Sequence, residues 1–313
     1  MQVDRNSIFA QNYLNKNSMD IAEGLLFALL WASATVATKF AFHSCNLFLL
    51  TLIRFVTVSI ILLFYTYIIK NKSSQFPSQA EFKKLFILGV LNVTIYMSGY
   101  LIAIKYVSAG LISLITAVNP LLLILFSAMF YKRKLSSFEI TGIIIAVSGL
   151  VLAAIPNLYN SHATLGGLLA LVAGISALSI GSIYYANSGL TLKKMEVNTW
   201  QITLGGILFL PIVFFNRANN FVIPDLNFFL SIAWLIFPVS IIAYAMWLIL
   251  LQRDAVKAGL WLFLTPAFGY FMAVIILHEK ITIYGMSGSL LVVSGLFYSR
   301  RKKVIVSVVN TVE

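Results

Sequence analysis

One cysteine, three histidines and ten acidic residues are all that 313 residues offer to metal or acid–base chemistry. With Cys45 alone, no disulfide forms within the chain and no cysteine-based metal centre exists. His43, His162 and His278 fall in or near three different loops, so no metal site is expected. There is no Gly-rich phosphate loop ending in Lys-Ser/Thr, no HExxH pair and no Ser/His/Asp set, and nothing calls for a cofactor. Charge is scarce: 10% of residues are charged, against roughly 25% in soluble proteins. No segment remains from which a sizeable soluble domain could be built.

What the chain has is hydrophobic length. Runs 21–43, 47–69, 85–105, 108–131, 138–156, 165–186, 198–215, 227–251, 258–277 and 282–299 are each apolar over most of their length. About 20 such residues cross a bilayer core as a helix. Lipid offers the backbone no hydrogen bonds and the runs do not alternate, so helices are expected and strands excluded. The expected fold is an all-α integral membrane protein of ten transmembrane helices. The polar residues ahead of the first run, and its continuation past Lys39 to Phe42, mark an uncleaved first helix rather than a signal peptide.

The net charge of +12 sits in short clusters between runs, which sets topology and argues against nucleic acid. With the N-terminus inside, the inner segments hold Arg5, Lys16, Lys70, Lys72, Lys83, Lys84, Lys132, Arg133, Lys134, Lys193, Lys194, Arg253, Lys257 and 300–303, seventeen of the 22 basic residues. Lys39, Lys105, Arg217 and Lys280 fall outside and Arg54 within a span. Both termini are therefore expected in the cytoplasm.

Shifting the sequence by 146 residues brings its halves into register. Ala109 meets Ala255, Leu114 meets Leu260, Pro120 meets Pro266, Lys134 meets Lys280 and Gly142 meets Gly288. Val147-Ser-Gly-Leu150 meets Val293-Ser-Gly-Leu296. Five spans per half is odd, so the halves point in opposite directions: two inverted five-helix repeats, an architecture recurrent in secondary transporters. The expected divisions are a cytoplasmic segment 1–20, repeats 21–156 and 165–299, and a basic cytoplasmic tail 300–313.

Gly24-Leu-Leu-Phe-Ala-Leu-Leu-Trp31-Ala-Ser-Ala-Thr-Val-Ala-Thr-Lys39 resembles the first helix of the drug/metabolite transporter superfamily, EamA branch. Leu52-Ile-Arg54-Phe55, Lys105-Tyr-Val-Ser-Ala109 with Asn119-Pro120, and Ala258-Gly-Leu-Trp-Leu-Phe-Leu-Thr-Pro266 with His278-Glu279-Lys280 are similar to later segments. The likeness covers about 20–300. The family's Gly-Glu-Arg/Lys turn reads Tyr131-Lys132-Arg133-Lys134 in the first half, so Arg133 stands where the acid would be. The resemblance implies transport of a small organic metabolite such as an amino acid, often as efflux, across the plasma (inner) membrane. An integral-membrane enzyme acting on a lipid-linked substrate is the alternative, but it needs an interfacial acid or His cluster that is not visible; a non-transporting scaffold is another.

Candidate solute-binding residues are the deep charge and the deep amphipathic rings and amides: Trp31, Arg54, Asn92, Tyr96, Asn119, Tyr184, Trp247 and Trp261, with Tyr100, Tyr185 and Gln201 behind them. An intramembrane arginine is a functional candidate by default, against snorkelling to the interface. Aromatic rings in spans otherwise pack as core. Pro120 and Pro266, read as lying near the middle of their helices, are candidate hinges. Gly142, Gly149, Gly288 and Gly295 mark packing seams, within the monomer or in a homodimer. The partners expected are a small-molecule solute and membrane lipids.

Overall fold

The computed structural model describes residues 5–70, 74–116, 118–132, 134–159, 163–253, 261–262, 264–278 and 282–299. The residues that would test the 258–260 motif, the Glu279-Lys280 turn and the tail from 300 lie outside these. The described chain is helical: α1 Arg5–Ala41, α2 Leu47–Phe64, α3 Gln79–Leu88, α4 Tyr96–Tyr106, α5 Ala109–Thr116, α6 Asn119–Phe130, α7 Ser137–Tyr159, α8 Leu165–Asn187, α9 Lys194–Phe215, α10 Leu226–Trp234, α11 Tyr244–Arg253, α12 Leu264–Leu277 and α13 Ile283–Ser299. Only two isolated bridges, Cys45 with Val222 and Val107 with Ala163, pair extended backbone among the described residues.

Seven described stretches are long and apolar enough to cross a bilayer: Ile21–Ala41, Leu47–Ile69, Gln79–Tyr106, Ala109–Phe130, Leu165–Asn187, Lys194–Phe215 and Leu226–Leu251. Ser137–Ala153 and Ile283–Ser299 are shorter apolar helices. The run expected at 258–277 is continuously described from Leu264 onward. Large apolar side chains lie exposed on outer faces, such as Ile60, Ile144, Phe215 and Leu290. A surface of that kind suits hydrocarbon, where water would penalise it.

Local chemistry sets the helix ends. Asn46 accepts from the backbone N–H of Phe48 and Leu49 to start α2, and Asp225 does the same for α10 through Phe228. The third span begins at Gln79 rather than at 85, because Ser78 and Glu81 form a reciprocal capping box that outweighs Lys83 and Lys84.

Among the described residues three segments are π-helical, with about one residue more per turn: Tyr65–Ile69, Gly89–Ile95 between α3 and α4, and Leu235–Ala243 between α10 and α11. The latter two begin 146 residues apart, the separation found in the sequence. Each carries a hydroxyl that caps the carbonyl five residues back. Thr94 Oγ1 donates to the Gly89 oxygen at 3.3 Å and Ser240 Oγ to the Leu235 oxygen at 2.9 Å.

Close helix contacts rest on glycine. On α7 and α13, Gly142 faces Gly295 and Gly149 faces Gly288; a Cβ on any of the four would lie 2.5–2.6 Å from the opposing carbonyl oxygen. The seam therefore lies within one chain. Gly99 on α4 meets Gly174 on α8, and Gly89 meets Gly205 on α9, two contacts not expected from the sequence.

The prolines are where the expectation needs correcting. Pro120 is at the first turn of α6, after α5 has ended at Thr116, and Pro266 is in the first turn of α12. Pro120 therefore does not sit mid-helix, and residue 263 just ahead of α12 lies outside the described residues. A proline at a helix start gives up an N–H that has no intrahelical acceptor, so it is accommodated without kinking a continuous rod.

Candidate functional site

A buried cavity of about 60 Å³ opens among α1, α2, the two long π segments, α4, α5, α9, α11 and α12. Trp31, Thr35 and Thr38 come from α1, and Arg54 and Phe55 from α2. Asn92, Val93, Tyr96, Met97 and Tyr100 come from the Gly89–Ile95 turn and α4. Ile202, Val239, Ser240, Tyr244, Thr116 and Thr265 complete the wall. Both halves of the chain contribute. The volume suits a few water molecules.

Among the described residues, Arg54 is the only charged one lining this space, and it is 7% exposed. Its Nε donates to Ser240 Oγ at 2.7 Å, linking α2 to the second π segment. Ser240 can serve both partners because a hydroxyl accepts and donates at once. The guanidinium also lies 5.8 Å from the Phe55 ring centroid. No described carboxylate lines this space, and five of the acids are engaged elsewhere. Glu81 closes a capping box, Glu196 accepts from the backbone N–H of Lys193 and Gln75, Glu139 accepts from Ser136 N–H, Asp225 caps α10 and Glu23 pairs with Arg253 at 2.7 Å.

A neutral network supports the other wall. Tyr244 OH donates to Gln201 Oε1 at 3.2 Å. Asn92 Nδ2 reaches Gln201 Oε1 and Tyr244 OH, each at 3.4 Å. Asn198 Nδ2 donates to the Ser240 carbonyl at 3.4 Å. Buried amides and hydroxyls are costly unless paired in this way. Two buried acceptors here, Asn92 Oδ1 and the Tyr100 hydroxyl, have no partner of full hydrogen-bond geometry.

Of the residues singled out from sequence, Trp31, Arg54, Asn92 and Tyr96 line the cavity together. The other four do not. Trp247 is fully buried and stacks on Phe27 with ring centroids 5.5 Å apart, so its ring is core. Tyr184 and Trp261 pack against that same aromatic cluster, with Trp261 lying over Gly24. Asn119 is buried, accepting from Ser179 Oγ between α6 and α8. Depth and polarity select such residues, but helix rotation decides whether they face a cavity or a neighbour. Thr35, Thr38, Thr116, Ser240, Tyr244 and Thr265 were missed. The readable signal was their spacing: Thr35 and Thr38 share a face with Trp31 at helical intervals.

A second, wider recess of about 620 Å³ lies at the start of α2, lined by Phe42, His43, Cys45, Asn46, Lys105 and the 218–221 loop among others. Arg54 is seven residues further along α2, about 10 Å deeper at 1.5 Å per residue. Among the described residues no three His, Cys, Asp or Glu side chains converge as a metal would require.

An all-helical chain with several spans and a lone guanidinium in a shared cavity is a multi-pass membrane protein built around an internal polar site. The chain matches the EamA-like transporter family over residues 21–155 and again over 164–301, and it belongs to that family. It is 26% identical over 277 residues to an uncharacterised transporter of Archaeoglobus fulgidus, covering 87% of this chain and 95% of that one. It is 22% identical to a protein of Escherichia coli (strain K12) named probable amino-acid metabolite efflux pump, over 87% of this chain and 92% of the other. A solved crystal structure superposes with a TM-score of 0.67 at 19% identity, covering 90% of this chain and 96% of that chain, a likeness of fold.

Proposed function

We propose that the protein is a secondary transporter carrying small organic metabolites, amino acids among the candidates, out across the plasma (inner) membrane by alternating access. In this reading ten spans form two inverted repeats, 21–156 and 165–299, with both termini in the cytoplasm. The observation that carries it is the cavity: its wall is shared between the halves, and Arg54 of one half reaches Ser240 of the other at 2.7 Å. The matched π segments 146 residues apart support the repeat. The relative named as an efflux pump supports the direction.

At about 60 Å³ the cavity is smaller than the roughly 300–1,000 Å³ of typical small-molecule sites. Loading therefore requires the walls to separate, as alternating access demands. Pro120 and Pro266, each in the first turn of a helical segment, are the proposed hinge points. The test is flux of labelled metabolites, including amino acids, in proteoliposomes. Flux above protein-free vesicles is expected; none over a broad panel, with folded protein, would overturn the reading.

A further inference from the structure

The charge inventory of the cavity narrows the solute. We infer, resting on the proposed transport function, that the site takes a monocarboxylate whose remaining body carries no charge, in preference to a zwitterionic amino acid.

Three observations carry this. First, the guanidinium has five N–H donors and uses Nε on Ser240, its one hydrogen bond among the described residues. The fork formed by its two terminal nitrogens matches a carboxylate with two parallel hydrogen bonds. Second, Tyr96 and Tyr100 are its electrostatic neighbours, each 6% exposed. The Tyr100 hydroxyl lies beside the Thr35 and Thr38 hydroxyls without a bond of full hydrogen-bond geometry, so these three hydroxyls can turn toward the same anion. Third, the lining contains no acidic residue among the described residues.

The last point separates the two solute classes. The ammonium of an amino acid sits within a few ångströms of its own carboxylate. Gripping that carboxylate brings the ammonium close to Arg54 in a site of low dielectric, where like charges repel strongly. Such a complex keeps a net positive charge with no carboxylate among the described wall residues to balance it. A monocarboxylate leaves the complex neutral and satisfies the buried guanidinium, which is costly when unpaired. An aromatic pocket can hold an ammonium by cation–π attraction. Here the Trp31 ring packs within 6.3 Å, centroid to centroid, of Phe27, Tyr244 and Trp247, which cover much of its surface. The Phe55 ring already faces the Arg54 guanidinium at 5.8 Å, and the rest of the described wall combines aliphatic side chains, tyrosine rings with their hydroxyls, serine and threonine hydroxyls and the Asn92 amide, which suit an uncharged body.

Four probes that share one ring and differ in charge test this: 3-phenylpropanoate, L-phenylalanine, phenethylamine and 3-phenylpropan-1-ol. Their binding to nanodisc-reconstituted full chain is measured by calorimetry at neutral pH. The acid is expected to bind at least about tenfold tighter than phenylalanine, the scale of a close like-charge penalty. Phenethylamine and the alcohol should be weaker still, and Arg54→Gln should remove the advantage of the acid. Should Arg54→Gln not fold, the wild-type series decides alone. Equal or tighter binding of phenylalanine overturns the solute class while leaving transport intact. Absence of binding by the acid also overturns it. The transport reading fails separately, only if proteoliposome flux is absent over the whole panel.

Discussion

Gly142 and Gly295 meet backbone to backbone: a Cβ built on either would sit 2.5 Å from the carbonyl oxygen of the other. Seven residues along each helix, Gly149 and Gly288 repeat the contact in the opposite sense. Backbone cannot swing aside as a side chain can. Gly142→Val or Gly295→Val should therefore cost about 1–3 kcal/mol as overpacking. A lowered melting temperature in detergent checks it, with Gly166→Ala as control. A Cβ at Gly166 meets nothing within 4 Å, so that change should be neutral or slightly stabilising.

Ser240→Ala and Thr94→Ala make a matched pair. Each removes a hydroxyl bonded to a carbonyl five residues back. Each should cost about 1 kcal/mol or somewhat more in stability. Ser240 alone also accepts from Arg54 Nε. The serine variant should weaken solute binding or raise KM for flux, while the threonine variant leaves both near wild type. An equal loss of binding in both would show that helix geometry, rather than the Arg54 contact, is what matters.

Trp247→Ala should be among the most damaging single changes, at about 3–5 kcal/mol, because its ring is fully buried against Phe27. Trp31→Phe should instead fold well and alter solute affinity. Thermal unfolding and equilibrium binding separate the two outcomes.

Pro120→Ala restores the backbone N–H that proline lacks, so that α5 and α6 can approach one continuous helix. Expression and melting temperature should stay near wild type while flux slows; Pro266→Ala should behave alike. Wild-type flux in the double variant would remove the prolines from the transport cycle.

Cys45 is buried at the α1–α2 connection, and burial pushes its thiol up to about 11. The thiolate is the reactive form. Maleimide should label it slowly at neutral pH and faster as pH rises. Against that quiet background, Ser74→Cys should label from the cytoplasmic side; labelling from outside would reverse the proposed orientation.

Helix identity was legible because apolar length is written directly in composition. Residues 83 and 84 obscured the start of the third span, although Ser78 and Glu81 spelled its cap. Arg54, Trp31, Asn92 and Tyr96 were readable as costly groups at depth. Trp247 and Asn119 carried the same signal and proved to face protein, a distinction that turns on helix rotation. Ser240 and Tyr244 were hidden in an apolar run, and π turns leave no periodicity to read. Pro120 looked central in a 24-residue run only because the break after Thr116 has no mark of its own.

The two long π segments also set the rotational phase of α4 and α11. One residue advances a helix by about 100°. Were Gly89–Ile95 to rewind as ordinary helix at its present length, the extra residue would turn Tyr96 and Tyr100 by about that angle relative to α3. The tyrosines would leave the guanidinium and other faces of α4 would take their place. The same rewinding of Leu235–Ala243 would carry Tyr244 away from Gln201. Helix type within these turns, as much as residue identity, therefore specifies the site, and a homologue one residue shorter there would keep the same solute surface with an ordinary helix in place of the wide turn.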